Sequence, residues 1–257
     1  MRHIKGIILF GLLASGFVPA QAQTLRVLSY NIHHGCDTAE QLQLKGMAKV
    51  IRQSGADIVG LQEVDSLCRR SGQTNQTRIL GKLTGLEHAF VRHFPYDGGS
   101  YGLALLSRYP ILSVTNKRLP VGLKNNGSTV ALLCATVQPA AGKTVEVWVA
   151  HLDYRSERSR LRQAVLLDSM IRETTRPLML IGDLNAPPAD SAIRLLQKQL
   201  QNGGSDGGFT YPVADPVRKI DYILVDKQHF SISDGAKVLP VFYSDHRPVL
   251  NVVKLER

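Results

Sequence analysis

The sequence predicts a mixed α/β fold formed by residues 24–257. Short apolar runs rich in β-branched residues recur along the chain, and helical patterns lie between several of them. No internal repeat or low-complexity linker divides the chain. A chain of 257 residues, 44% of them hydrophobic, can bury one large core. We therefore expect a single α/β domain.

Eight runs predict strands because each is short and is bounded by turn residues or charges. In chain order they are RVLSYNI, DIVGLQEV, YGLALLS, TVALLCATV, VEVWVAHL, PLMLIGDLN, KIDYILV and PVLNVVKL. The spacing of apolar residues predicts helices over four segments, 39–54, 76–83, 156–173 and 189–201. The glycine-rich stretch 203–208 has strand-like segments on both sides, which indicates a flexible loop rather than a domain boundary.

Residues 1–22 have the pattern of a signal peptide. Arg2 and Lys5 precede the apolar run 7–14, and Ala20-Gln21-Ala22 places small residues at the spacing of a peptidase site. The apolar run is shorter than the roughly 20 residues of a membrane-spanning helix. We therefore expect export to the periplasm or the extracellular space, without integral membrane association, and a monomeric protein.

The formal net charge of +10 favours anionic partners. Cleavage of the leader would remove Arg2 and Lys5, which lowers the charge to about +8. Nucleic acid, phospholipid head groups and small phosphorylated molecules all fit a basic protein, so the charge alone does not choose among them.

Polar residues stand near the ends of several predicted strands. Residues two apart on a strand point to the same side, so Asp183 and Asn185 would present a carboxylate and an amide together. An Asp-x-Asn before proline is also typical of a simple turn. The whole set comprises Asn31, Glu63, His151, Asp183, Asn185, Asp221, Asp245 and His246. Turn chemistry does not readily explain so many, and ligands of α/β folds bind where strand ends converge, so the set predicts a functional site.

The motifs that carry these residues resemble those of the endonuclease/exonuclease/phosphatase superfamily. This superfamily includes deoxyribonuclease I-like nucleases, neutral sphingomyelinases and inositol-polyphosphate phosphatases. Six motifs occur in the family's order: SYNIHHG, LQEVD, AHLD, GDLNAPP, IDYILV and SDHRPV. The resemblance extends over about residues 25–255. It implies a four-layer sandwich of two mixed β-sheets packed face to face, with helices on the outer faces and the active site at one end.

The resemblance also implies a metal site. Glu63 and Asp245 would bind Mg²⁺ or Mn²⁺, which favour oxygen ligands, and Asn31 would complete the site. Several nucleases of the family have an acidic residue two positions after the Asn, where this chain has His33, followed by His34. Metal binding is therefore expected to differ in detail. His33 could contact phosphate or simply be solvated.

The other polar residues would carry out phosphate-ester hydrolysis. Asp183 would orient or deprotonate the attacking water, and Asn185 would donate its amide hydrogens to phosphoryl oxygens. His246 would contact the phosphate or act as the base, with Asp221 bonded to its other ring nitrogen. His151 would stabilise the phosphate from the opposite side. The choice of base, Asp183 or His246, stays open.

A second region resembles a subgroup of exported bacterial members. It comprises SLCRRSGQTNQTRILGKLTG and YDGGSYGLALLSRYPI. Arg69, Arg70 and Gln76 could therefore contact an anionic substrate, and the alternative is a solvated loop. The favoured function is a metal-dependent phosphodiesterase or phosphomonoesterase that acts on a lipid head group or a small phosphorylated molecule. An exported nuclease and a non-catalytic binding module are the alternatives.

The three cysteines divide into one buried thiol and one expected pair. Cys134 lies in an apolar run and is predicted to be buried in the core. Cys36 and Cys68 each follow a metal-motif residue by five positions, and the two strands are expected to converge. In an exported chain these cysteines are expected to form a disulfide, and the alternative is two unpaired thiols.

Overall fold

The computed structural model describes residues 22–122, 127–203 and 208–256. These residues form twelve β-strands and four α-helices. The predicted signal peptide, 1–22, lies outside the described residues apart from Ala22, and so do residues 204–207 of the predicted glycine-rich loop.

The twelve strands form two six-stranded sheets. In spatial order, the first contains β11 (Phe230–Val238), β12 (Val249–Leu255), β1 (Gln23–Asn31), β2 (Ile58–Ser66), β4 (Gly99–Ser107) and β3 (Glu87–Tyr96). The second contains β5 (Ile111–Pro120), β6 (Thr129–Ala140), β7 (Lys143–His151), β8 (Leu178–Asp183), β10 (Asp221–Asp226) and β9 (Leu200–Asn202). Each sheet is mixed, because β1–β2 and β7–β8 run parallel and their neighbours pair antiparallel.

The molecule has four layers, and three clusters of apolar side chains lie between them. Residues such as Val27 and Leu105 of the first sheet pack against Val149 and Ile181 of the second and form the central core. Helices α1 (Leu44–Ser54) and α2 (Gln76–Thr84) cover the outer face of the first sheet. Helices α3 (Glu157–Arg172) and α4 (Ser191–Leu196) cover the outer face of the second. The expected four-layer α/β sandwich is therefore confirmed.

All eight predicted strands are present, as β1, β2, β4, β6, β7, β8, β10 and β12. The sequence analysis missed β3, β5, β9 and β11, and these are the outermost strands of the two sheets. An edge strand borders only one neighbour and exposes more of its side chains, so it does not need a continuous apolar run. In β5, for example, every residue from Leu112 to Arg118 is exposed.

Two predicted helices were too long. The segment predicted to be helical from residue 39 begins its helix at Leu44, because the Asp37 carboxylate accepts hydrogen bonds from the Ala39 and Gln41 amides and forms a turn. Helix α4 ends at Leu196, because the chain enters the edge strand β9 at Leu200. Among the described residues, none of the helices is both long and apolar enough to cross a membrane.

The expected disulfide is wrong, because Cys36, Cys68 and Cys134 are all free thiols. The Cys68 thiol donates to the backbone carbonyls of Tyr96 (3.2 Å) and Ser100 (3.4 Å), so it faces the β3–β4 hairpin. The Cys36 backbone forms an isolated antiparallel β-bridge with Leu42 in the same loop. Burial raises the pKa of Cys36 to about 11, which disfavours the reactive thiolate. The burial predicted for Cys134 is confirmed.

Candidate active site

Polar side chains from both sheets meet at one end of the sandwich. Strand β8 ends at Asp183, which lies beside His151 of β7 on one side and beside Asp221 of β10 on the other. From the first sheet, Asn31 reaches across at the end of β1 and donates its amide to Asp183 Oδ2 (3.1 Å). Strand register therefore brings together residues that are far apart in sequence.

Glu63 reaches the site because β2 contains a bulge. The pairing of β2 with β4 shifts between Leu61 and Val64, and Glu63 adopts a φ of +58°. A bulge of this kind turns a side chain out of the regular alternation of a strand. The Glu63 carboxylate accepts a hydrogen bond from the Asn31 amide (2.9 Å), which places it next to Asp183.

Asp183 is buried at the centre of the site. Its Oδ2 lies 3.6 Å from His151 Nε2 and 3.7 Å from His246 Nε2. Its Oδ1 accepts from the Asn185 backbone amide (2.9 Å), so the Asp-x-Asn segment also makes the local turn contact. Burial first, and then the negative charge of Asp221, raise the pKa of Asp183. A carboxylate with a raised pKa is a stronger base than an ordinary aspartate.

His246 is held by the last motif of the chain. Its Nδ1 lies 2.9 Å from Asp221 Oδ2, as expected for the carboxylate that fixes the ring. Burial disfavours the charged ring, but Asp221 and Asp183 outweigh it and raise the pKa of His246 to about 10. Ser244 supports this segment by donating to the Asn31 carbonyl (2.7 Å). The raised pKa of His246 favours its imidazolium form at neutral pH.

Glu63 and Asp245 provide the oxygen ligands that a hard divalent cation needs. Their side chains are 22% and 24% exposed, so both can meet an ion from solvent. Burial opposes ionisation of Glu63, but the electrostatic effect of His151 and the hydrogen bond from Asn31 hold the pKa of Glu63 below its ordinary value. This donor set fits Mg²⁺ or Mn²⁺. His33 Nδ1 lies 3.9 Å from Glu63 Oε2 and 3.5 Å from Asp245 Oδ2.

The Asn31 side chain holds the carboxylates of Glu63 and Asp183 near each other. Its amide nitrogen faces the carboxylates of Glu63 and Asp183, and its oxygen accepts from the His33 backbone amide (3.1 Å). Direct binding of a metal by Asn31 stays a prediction. The ligand atoms of Asp183, Asp221 and His246 also lie within 4.8 Å of one another, but all three side chains are buried and His246 Nδ1 already bonds Asp221.

A pocket of about 400 Å³ opens beside Glu63 and His151. Its aromatic wall is formed by Phe94, Tyr96, Tyr101 and Tyr154, and Arg70 and Arg155 add positive charge. The Phe94 and Tyr101 rings stack with centroids 5.3 Å apart. Such a concave, mostly apolar site with a few polar groups is typical of small-ligand binding.

The three predicted substrate contacts have different positions. The Arg70 guanidinium lies 4.4 Å from the centre of the Tyr96 ring and lines the pocket, and its contact with a substrate stays a prediction. Arg69 instead pairs with Asp97, and 69% of its side chain is exposed. Gln76 is not available to a substrate, because it is fully buried: its side-chain oxygen accepts from the Asp65 backbone amide (2.9 Å) and its side-chain nitrogen donates to the His34 carbonyl (2.6 Å). Its contribution is to join two loops.

Sequence reasoning missed three residues beside the site. Burial first, and then the charge of Glu63, raise the pKa of the Tyr101 hydroxyl well above its usual range. The Tyr211 ring lies 4.8 Å from the His246 ring. The third is Ser244. Tyr101 and Ser244 belong to quoted motifs, which was a usable signal, whereas Tyr211 lies in an irregular segment with no such pattern.

Similarity to known proteins agrees with this geometry. A model of the Endonuclease/Exonuclease/phosphatase family matches residues 28–246. The uncharacterized protein YbhP of Escherichia coli K12 is 28% identical over 254 residues, which covers 90% of this chain and 98% of YbhP. A functionally unknown conserved protein from Enterococcus faecalis V583 has a TM-score of 0.75 at 21% identity, covering 90% of this chain and 100% of that chain.

A mannosyl-6-phosphatase from Bacteroides thetaiotaomicron VPI-5482 has a TM-score of 0.72 at 18% identity, covering 91% of this chain and 100% of that chain. At such identities the two solved structures establish the shared fold alone. The family model, however, spans most of the sequence, and its range includes all the strand-end polar residues described above, from Asn31 to His246. The chain therefore belongs to the Endonuclease/Exonuclease/phosphatase family, whose members are phosphoesterase and nuclease-type hydrolases.

Proposed function

We propose that this protein is an exported, monomeric, divalent-metal-dependent phosphoesterase that acts on a lipid head group or a small phosphorylated molecule. The observation that carries the proposal is the aromatic pocket of about 400 Å³ directly beside Glu63 and His151. Pockets of roughly 300 to 1,000 Å³ are typical of small-molecule sites. Export rests on the leader-like residues 1–22 and on the resemblance to exported bacterial members.

Each polar residue has a step to perform in this proposal. A bound divalent cation would neutralise charge on the phosphoryl oxygens. Asp183, with its raised pKa, takes the proton of the attacking water. His246 is an imidazolium that faces Asp183, and it stabilises negative charge as it develops on the phosphate. The two residues therefore divide the roles of base and charge stabiliser.

Two further groups orient the phosphate. Asn185 donates one amide hydrogen to the Leu152 carbonyl (3.0 Å), which fixes the side chain, and its second amide hydrogen bonds a phosphoryl oxygen. His151 lines the pocket and contacts the phosphate from the opposite side. The substrate's organic group then lies against the aromatic wall, where Arg70 can attract further negative charge.

A nuclease is the second candidate, because the protein is basic and phosphate contacts dominate nucleic-acid affinity. The concave pocket favours a small substrate over a duplex. The name of the structural neighbour from Bacteroides, a mannosyl-6-phosphatase, also supports a small phosphate ester. Activity on plasmid DNA or RNA would favour the nuclease.

The test is a substrate screen with purified protein in Mg²⁺ or Mn²⁺. It covers sugar phosphates, inositol phosphates, phospholipids, sphingomyelin, plasmid DNA and RNA. We expect hydrolysis of a small ester or head group, abolished by excess chelator and lowered about 100-fold or more by Asp183→Asn. The exposed Asp215→Asn is the matched control and should keep full activity. Full activity of Asp183→Asn, or turnover in excess chelator, would contradict the proposed chemistry.

A further inference from the structure

We propose that His33 Nδ1 is an additional ligand of the cation held by Glu63 and Asp245, and that Glu40 orients the His33 ring for this role. The inference rests on the metal dependence in the proposed function. It goes further by stating which class of cation this site selects.

The position of the His33 ring supports this role. On one side, Nδ1 faces Asp245 Oδ2 at 3.5 Å and Glu63 Oε2 at 3.9 Å. On the other side, Nε2 lies 3.1 Å from Glu40 Oε1. The imidazole therefore lies between the carboxylates of Glu63 and Asp245 on one side and the carboxylate of Glu40, outside the site, on the other. His33 Nδ1 lies near one carboxylate oxygen from strand β2 and one from the segment that precedes β12.

The contact with Glu40 determines which ring nitrogen is free to bind a metal. A neutral imidazole that donates from Nε2 to Glu40 carries its lone pair on Nδ1, the atom that faces Glu63 and Asp245. Histidine ligands of metals commonly donate their other ring nitrogen to a carboxylate in this way. The second Glu40 oxygen lies 2.8 Å from His34 Nε2, so Glu40 is itself held in place.

The backbone holds the three residues in an uncommon conformation. His33 and His34 both have a φ of +43°, and Glu40 has a φ of +58°, a region that non-glycine residues rarely adopt. The Asn31 side chain accepts from the His33 amide, and the Gln76 side chain donates to the His34 carbonyl. These contacts hold the backbone of His33 and His34 in this conformation, and Gln76 contributes one of them from the buried interior.

His33, His34 and Glu40 are also close enough to hold an ion among themselves, since their ligand atoms lie within 4.8 Å of one another. That arrangement has one carboxylate, and its side chain is 67% exposed. The Glu63–Asp245 position offers two carboxylates that are less exposed, and Glu63 also lines the pocket. A divalent cation is therefore better neutralised at Glu63 and Asp245, with His33 as the added nitrogen donor.

An imidazole ligand changes the metal preference. Mg²⁺ favours an all-oxygen shell, whereas imidazole nitrogen suits transition metals and the affinity of mixed nitrogen and oxygen sites rises from Mn²⁺ to Co²⁺. We therefore expect the site to favour Mn²⁺ or Co²⁺ over Mg²⁺. In His33→Asp the nitrogen is replaced by a carboxylate, which should move the preference back toward Mg²⁺.

The experiment measures binding rather than activity. Titration calorimetry gives the affinities of Mg²⁺ and Mn²⁺, and pulsed electron paramagnetic resonance of bound Mn²⁺ detects nitrogen coupling in protein labelled with ¹⁵N-histidine. We expect a ¹⁵N coupling in the wild type that disappears in His33→Asp. The ratio of Mn²⁺ to Mg²⁺ affinity should fall about tenfold in that variant, and Glu40→Gln should weaken Mn²⁺ binding by about 10- to 100-fold. His34→Gln should keep the coupling.

Three results would overturn the inference in distinguishable ways. Bound Mn²⁺ without ¹⁵N coupling, at an affinity ratio unchanged in His33→Asp, would remove His33 from the ligand set while leaving metal dependence intact. A coupling that survives Glu63→Gln but is lost in His34→Gln would place the ion among His33, His34 and Glu40 instead. Failure of the wild type to bind either cation would overturn both this inference and the metal dependence of the proposed function.

Discussion

Three buried titratable side chains form the electrostatic centre of the site. Asp183 and Asp221 are each 1% exposed and His246 is 4% exposed. Burial first, and then the charge of Asp221, raise the pKa of Asp183, whereas burial opposes the rise of the pKa of His246 and the charges of Asp221 and Asp183 outweigh it. Groups whose pKa values are moved in this way are typical of catalytic sites.

The adjacent residues Arg69 and Arg70 are expected to contribute differently to stability. Arg70 makes a two-pronged ion pair with the fully buried Asp65 (2.8 and 2.9 Å), whereas Arg69 pairs with Asp97 at the surface. Arg70→Ala would leave Asp65 as an unpaired buried charge, so we expect a loss of about 3 kcal/mol in unfolding free energy. Arg69→Ala, the matched control, should cost at most about 1 kcal/mol.

Urea unfolding of the purified variants measures both changes. Equal losses in Arg69→Ala and Arg70→Ala would mean that Asp65 can be solvated without its partner. If Arg70→Ala folds normally, its substrate affinity can also be measured, because Arg70 lines the pocket.

At the scale of elements, one arginine side chain connects the edge strands β5 and β3. Arg118 of β5 donates to the carbonyls of Arg92 (2.8 Å) and His93 (2.6 Å) in β3, which belongs to the other sheet. The same guanidinium also donates to the Thr129 carbonyl (2.8 Å). One exposed residue therefore joins the edges of the two sheets beside the pocket.

We expect Arg118→Met to loosen this edge. The substitution keeps an apolar stem and removes the donors, so the carbonyls of Arg92 and His93 lose charged partners and unfolding free energy should fall by about 1 to 3 kcal/mol. Amide hydrogen exchange should accelerate in β3 more than in the interior strand β2. The neighbouring Lys117→Met is the control, and similar exchange in both variants would contradict the proposed role.

At the scale of the whole molecule, the site lies where the two parallel strand pairs end. Strand β1 ends at Asn31 and its parallel neighbour β2 carries Glu63, while β7 and β8 end at His151 and Asp183. Packing the two sheets face to face brings these two ends together. Gly60 of β2 permits the two sheets to approach closely, since a Cβ atom there would lie 2.6 Å from the Ile181 side chain of β8.

His93 of β3 links the two sheets in the interior of the molecule. Its protonation is expected to make the stability of the protein depend on pH. Its Nδ1 accepts a hydrogen bond from the Ala131 backbone amide (2.6 Å). Burial first, and then the charges of His151 and Arg118, hold the pKa of His93 well below its usual range. The neutral ring is therefore favoured in the folded state. Its contribution to the unfolding free energy is fully present at pH values above the unfolded pKa of about 6.5.

We expect this contribution to be lost as the pH falls below about 6.5, because the unfolded chain then takes up a proton that folded His93 rejects. Unfolding free energies of the wild type and of His93→Gln, measured from pH 8 to pH 5, should converge as the pH falls. The exposed His88→Gln is the control on the same strand. Parallel curves for the wild type and His93→Gln would show that His93 does not titrate differently in the folded protein.

Most of the interior of the fold could be predicted from sequence. Strands between two neighbours are largely buried, so β1, β2, β7 and β8 are rich in apolar residues that identify them without a structure. The polar residues at their ends stand out against these apolar residues. The edge strands gave no such signal, because one neighbour and a solvated face permit polar sequences such as that of β5.

The sequence by itself determined which residues are available for chemistry, because burial restricts polar groups inside strands and leaves those at strand ends conspicuous. The tertiary structure alone decided how they are used. The bulge that turns Glu63, the burial of Gln76 and the separation of Cys36 from Cys68 depend on contacts between segments far apart in the chain. The position of His33 between Glu40 and Asp245 has the same origin, since local spacing does not specify the direction of a side chain in an irregular loop.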